Sequence, residues 1–159
     1  MASYAKPVLF LFLSLLLIAP AAADNAWQPI SQDELKMTAE PLAPGAAAIY
    51  LYRQVDRDDA DFKQYNYSRI KILTEEGRKY ADVEIPFVKG AENIRNLQAR
   101  TIHRDGSIAN FEGKAFEKTI VKSQGVKVLT KTFTLPEVQV GSIIEYRYTR
   151  ESTPNMISQ

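Results

Sequence analysis

The chain has 159 residues, with 20 Lys plus Arg against 19 Asp plus Glu, a single histidine and no cysteine. Without cysteine there are no disulfides, no thiolate metal sites and no cysteine–histidine chemistry. The balanced charge argues against a nucleic acid, or an anionic membrane surface, held by bulk electrostatics.

The first segment has the three parts of a secretory signal peptide: a charged start (MASYAK), an apolar middle (VLFLFLSLLLIA) and small residues (PAAA) before Asp24. Residues 1–23 are therefore expected to be removed, with cleavage after Ala23, because signal peptidase needs small side chains such as Ala21 and Ala23. The apolar run Val8–Ala19 has 12 residues. A membrane-crossing helix needs roughly 20, so an uncleaved anchor is the weaker alternative, and no stable span is expected once residues 1–23 are removed. The protein is expected in the periplasm or outside the cell. The remaining 136 residues suffice for one domain that buries about two-thirds of its unfolded surface and needs no covalent staple.

Residues 24–45 form an N-terminal helix and linker segment. Ser31 with Glu34 three positions on is a capping box, and Ile30 is placed to staple onto Leu35. Pro41, Pro44 and Gly45 end that helix.

From residue 46 the hydrophobic period changes to two. Six runs rich in β-branched and aromatic residues read as strands: 49–55, 62–73, 79–85, 93–103, 126–135 and 142–149. Turn chemistry separates them at 56–61, 75–77, 86–93, 104–107 and 136–141. Asp105-Gly106 is the strongest hairpin signal, since glycine accepts the positive φ of a tight turn. The pattern predicts an all-β, mainly antiparallel, β-sandwich-like domain over 46–150 with a short N-terminal helix. A tail at 151–159 follows the last strand abruptly, which points to a fragment or a shortened relative of a longer protein.

No catalytic constellation stands out. HRDGS (103–107) places a histidine, an aspartate and a serine close in sequence, but a tight hairpin makes their side chains diverge. DRDDADF (56–62) has the acids of a calcium loop yet holds Asp61 and Tyr67 where such a loop needs glycine and glutamate. One histidine and no thiolate disfavour zinc. A glycosidase-like carboxylate pair remains open on counting alone, with no pair singled out. No cofactor is expected.

Tyr-x-Tyr occurs three times, as Tyr50/Tyr52, Tyr65/Tyr67 and Tyr146/Tyr148. On a strand, residues i and i+2 share a face, so each pair is expected to form a two-ring platform. Inward, such platforms are core; outward, they stack sugars or a peptide, which gives the alternative of a stand-alone glycan- or peptide-binding module. In LPEVQVGSIIEYRYTR (135–150), alternation puts Ile144, Tyr146 and Tyr148 on one face and Ile143, Glu145, Arg147 and Thr149 on the other. Glu145 and Arg147 are then expected to be surface groups whose pairing contributes roughly 0–1 kcal/mol.

ARTIHRDGSI (99–108), FEKTIVKSQGVKV (116–128) and FTLPEVQVGSIIEYRYT (133–149) together resemble a bacterial domain of unknown function. YLYRQVDRDD and RIKILTEEGRKYADVEIPF extend the resemblance over nearly all of the chain after residue 23. In that family the domain usually precedes a transglutaminase-like, papain-fold domain in longer exported proteins. The resemblance implies a non-catalytic accessory domain whose partner is such a downstream domain, or a cell-envelope protein or glycan. The family's catalytic cysteine, histidine and aspartate belong to the downstream domain, so no catalytic residue carries over. The strand holding EYRY is expected to leave an open sheet edge beside it.

Overall fold

The structure is a computed structural model that describes residues 27–123 and 125–153. The expected signal peptide, its cleavage point and residues 154–159 of the tail lie outside the described residues.

Helix α1 (Gln32–Lys36) is a single turn and a little more, and it forms where the capping box places it. Ser31 accepts a hydrogen bond from the Glu34 N–H at 3.1 Å, and Glu34 Oε2 accepts one from the Ser31 N–H at 2.7 Å. Ile30 packs with buried Leu35, as the staple requires. So short a helix is marginal by itself, so its cap carries much of its stability. Ser31→Ala is expected to cost about 1 kcal/mol, read as a lower urea midpoint with an unchanged slope.

Eight strands follow: β1 (Ala48–Asp58), β2 (Lys63–Ile72), β3 (Asp82–Val88), β4 (Glu92–Ile102), β5 (Ile108–Asn110), β6 (Phe116–Ser123), β7 (Val126–Thr134) and β8 (Ile143–Ser152). They form two antiparallel sheets, one ordered β1-β2-β8-β4-β5 and the other β3-β7-β6. The facing sides share one core. The larger sheet contributes Ile70, Ile72, Ile94, Ala99 and Ile144; the smaller contributes Val83, Ile85, Phe87, Leu129 and Phe133. Burying each large aliphatic or aromatic side chain among these stabilises the fold by about 1.5–3 kcal/mol before entropy is counted. The predicted β-rich, two-layer architecture is what forms.

The predicted turns hold at two sites. Asp105 caps the β4–β5 hairpin by accepting from the Ser107 N–H at 2.9 Å, and Gly106 takes φ 88°. The acidic loop between β1 and β2 is a solvated turn in which Asp58 Oδ1 accepts from the N–H groups of Ala60 and Asp61, both at 3.1 Å.

Other expectations are corrected. Residues 75–81 form a 3-10 turn, so the third strand starts at Asp82 rather than 79. Pro86, Phe87 and Val88, read as a turn, belong to β3; proline is tolerated there because β3 is an edge strand. The strands β5 and β6 were not anticipated. The open edge expected beside the EYRY strand is absent: β8 lies in the middle of the larger sheet, with β2 on one side and β4 on the other.

Candidate functional site

The residues that meet at the centre of the larger sheet are set by register. On its outer face, Arg69 of β2 lies opposite Glu145 of β8, and Glu145 lies opposite Arg100 of β4. Directly opposed residues share a face, so three charged side chains stand in one row across three strands. Glu145 is 0% exposed. Its Oε1 accepts from Arg69 Nε at 2.6 Å and from the Tyr67 hydroxyl, and its Oε2 accepts from Arg100 Nε at 2.5 Å.

The N-terminal segment covers this row. Arg69 donates onward to Glu34 Oε1 at 2.8 Å, to the Pro29 carbonyl at 3.1 Å and to the Gln28 carbonyl at 2.7 Å. Glu34 therefore caps α1 with one oxygen and binds Arg69 with the other. The Trp27 ring lies against two guanidinium groups, with Arg100 at 4.6 Å and Arg147 at 4.4 Å from its centroid, and touches Tyr67 at 5.8 Å. One row away, Leu35 packs with Leu51, Ile102 and Ile143. Lys71, also 0% exposed, donates to the carbonyls of Leu35 at 2.9 Å and Gly141 at 2.7 Å.

The protonation states follow from these neighbours. Burial, then the hydrogen bond and charge of Glu145, push the Tyr67 phenol up to about 12. Burial opposes the Glu34 carboxylate, but the Ser31 N–H and Arg69 outweigh it and hold its pKa below the ordinary value. Burial likewise opposes the Arg69 charge, and Glu34 and Glu145 overcome it, raising its pKa further. Burial, helped by the charge of Arg104 and opposed by Glu34, lowers the Lys71 ammonium to about 8.

This geometry corrects the surface reading of Glu145 but not that of Arg147. Glu145 is buried and pairs across the sheet, while Arg147 donates to Gln98 Oε1 at 2.5 and 3.0 Å. A general acid or base must reach its substrate; Glu145 is sealed from solvent with both oxygens occupied. The cluster clamps the N-terminal segment to the sheet.

Tyr65/Tyr67 and Tyr146/Tyr148 each share a face as expected, and Tyr50/Tyr52 does not. A register shift at Leu51 sets Tyr50 opposite Ile70 but Tyr52 opposite Arg69. Tyr50 and Tyr52 therefore lie on opposite faces, and the platform expected from them does not form. Tyr52 joins Tyr67 on the outer face with ring centroids 5.3 Å apart, and Tyr65 shares that face. Tyr50 shares the inner face with Tyr146 and Tyr148, which are half-buried against the core. Because five strands face three, the inner face at β1 is left uncovered: Tyr50 is 55% exposed and Val55 44%. Register gives the rows of this strip as Tyr50–Ile70–Ile144, Arg53–Ser68–Tyr146 and Val55–Asn66–Tyr148.

The HRDGS residues do not form a relay. His103 Nε2 lies 3.3 Å from Glu137 Oε2, and the Ser107 hydroxyl donates to Asp105 at 2.6 Å. Among the described residues, no group of histidine, aspartate and glutamate is placed to hold a metal ion, and no helix is long and apolar enough to cross a membrane. Two shallow clefts, of ≈ 480 Å³ beside Glu75, Arg78 and Glu137 and ≈ 500 Å³ beside Arg95, Phe111 and Lys131, are lined by neither Glu145 nor the paired tyrosines.

A family model described as a domain of unknown function with solved structure (DUF3857) matches residues 58–159. The chain belongs to the DUF3857 family. The match to DUF3857 starts at the end of β1, so Trp27, Glu34 and the whole covering segment lie before it, whereas Arg69, Arg100 and Glu145 lie within it. Among solved structures, a candidate protease from Parabacteroides distasonis ATCC 8503 is similar at TM-score 0.49 and 13% identity, over 58% of this chain and 20% of that one. The DUF3857 chain thus corresponds to about a fifth of that protein's length. No curated protein matches the sequence.

Proposed function

We propose that the chain is an exported, non-catalytic accessory domain that acts by contact with a transglutaminase-like domain of the cell envelope. Membership of DUF3857 and the sequence resemblance to domains that precede transglutaminase-like domains support this reading. The observation that carries it is the uncovered inner strip of the larger sheet. There Tyr50 and Val55 are exposed beside half-buried Tyr146 and Tyr148, and Arg53 lies 5.9 Å from the Tyr50 ring centroid. Aromatic rings with an arginine beside them are typical anchors of a protein interface. By contrast, the strongest charged cluster is spent on holding the N-terminal segment.

The test is photo-crosslinking in cells with a benzophenone amino acid at position 50, and at position 65 on the opposite face as control. The expected adduct forms from position 50 only and contains a transglutaminase-like polypeptide. Equal adducts from both positions, or none from either, would reject the interface. The same strip carries Ser68 and Asn66 between its rings, which favours a glycan as the second reading. Retention on cell-wall polysaccharide that is lost in Tyr50→Ala and Tyr146→Ala would select it instead.

A further inference from the structure

We propose that strand β6 pairs, antiparallel and about a two-fold axis, with β6 of a second copy of this chain. All eight residues of β6 are exposed, and among the described residues it is bonded on one side only, to β7. Phe116 is 69% exposed, Ile120 53% and Val121 49%. An edge this long and this apolar is a template for another strand.

Three features of its charge and register point to a second copy as the occupant. First, the sequence FEKTIVKS is self-complementary when reversed about the point between Thr119 and Ile120. That register places Glu117 opposite Lys122 twice, Lys118 opposite Val121 twice and Phe116 opposite Ser123 twice, so six of the eight residues are paired about Thr119 and Ile120. A copy shifted so that Lys118 meets its own counterpart instead sets lysine against lysine, which repels.

Second, the fold supplies the geometry that this register needs. In a regular strand, residues five apart lie on opposite faces, and Glu117 could not meet Lys122 of a copy turned about an axis normal to the sheet. Here the ladder slips between Thr119 and Val121, leaving Ile120 unpaired. Glu117 is opposite Lys131 and Lys122 is opposite Lys127, two positions on the same face of β7. The bulge thus brings Glu117 and Lys122 to one face, and Lys118 and Val121 to the other, as two-fold symmetry demands.

Third, within one copy Lys122 lies directly opposite Lys127. Like charges so placed destabilise a ladder. Glu117 of a second copy, arriving opposite Lys122, supplies the missing anion. The lysines that would discourage indiscriminate edge pairing therefore favour this register.

Sedimentation of the purified chain over a range of concentrations tests this. The expected result is a reversible monomer–dimer equilibrium that weakens as salt is added. Glu117→Lys and Lys122→Glu should each weaken the dimer at least about tenfold, and the double variant should restore it to within about threefold of the wild type. Circular dichroism of each variant checks that the sheets are intact, since these exposed positions are not part of the core. A wild-type chain that stays monomeric at its highest soluble concentration overturns the proposal. So does a dimer that the charge reversals leave unchanged, or one that the double variant fails to restore.

Discussion

Glu145→Ala is expected to lower the stability of the domain by about 3–5 kcal/mol, the cost of breaking a buried ion pair from one side. The substitution leaves Arg69 and Arg100, whose side chains are 4% and 12% exposed, without their shared carboxylate. Neither guanidinium can be neutralised at ordinary pH, and the sheet register fixes both beside the vacated position. Against a total stability of roughly 5–15 kcal/mol, the loss is a large share. Urea unfolding followed by circular dichroism measures it. Trp27, the only tryptophan, reports on the clamp separately because its ring lies against Arg100 and Arg147. In the variant its emission should shift at a lower urea concentration than the loss of β-structure, as the covering segment leaves the sheet before the sheet unfolds. Arg147→Ala, which removes an exposed bond to Gln98 and one side of the Trp27 stack, should cost about 1 kcal/mol or less. A loss below that size for Glu145→Ala would mean that the row behaves as a surface network.

The contrast between Glu145 and its surface reading shows what strand patterning can and cannot deliver. Alternation assigned the faces of β8 correctly: Ile144, Tyr146 and Tyr148 do pack inward, and Glu145 and Arg147 do point the other way. It could not tell that the polar face is covered. The cover is a segment more than thirty residues upstream of Arg69, and it is recruited by Arg69 and Lys71, which alternate with Ile70 and Ile72 like any solvent-facing pair. The capping box at Ser31 and Glu34 was legible because every bond in it is local. That the same Glu34 reaches Arg69 was not, because nothing local requires it.

Two other misses have similarly physical causes. A single extra residue, Leu51, rotates Tyr52 away from Tyr50, and a run as regular as IYLYRQV contains no glycine or proline to announce a bulge. Strand β6 escaped because every one of its side chains is exposed, so no apolar face exists for its period to reveal. Both are properties of how strands meet rather than of what each strand prefers alone, which is also why β8, the last strand in chain order, could be read as leaving an open edge when it lies at the centre of its sheet.

Raising the pH is expected to stabilise the protein across the interval in which most proteins gain nothing, and Lys71 is the cause. Its ammonium is lowered to about 8 from an ordinary 10.5, first by burial and then by the charge of Arg104, with Glu34 acting the other way. Between those two values the folded chain has released this proton while the unfolded chain still holds it. The unfolded state then binds more protons, so unfolding becomes harder as pH rises. Over about pH 7.5 to 9.5 the gain should be about 2 kcal/mol, the most that one group with this shift can contribute there. Above pH 10 the Tyr67 phenol, pushed up to about 12, works oppositely, because the folded state then keeps a proton that the unfolded state loses. The curve of stability against pH should therefore rise and then fall, with its maximum near pH 10. Lys71→Met removes the buried charge while filling similar space, and should leave the rising limb flat. A wild-type curve without that limb, or a variant that retains it, would show that the folded and unfolded chains hold the Lys71 proton alike. In that case the two carbonyls it meets, Leu35 and Gly141, would fully replace the water it gave up.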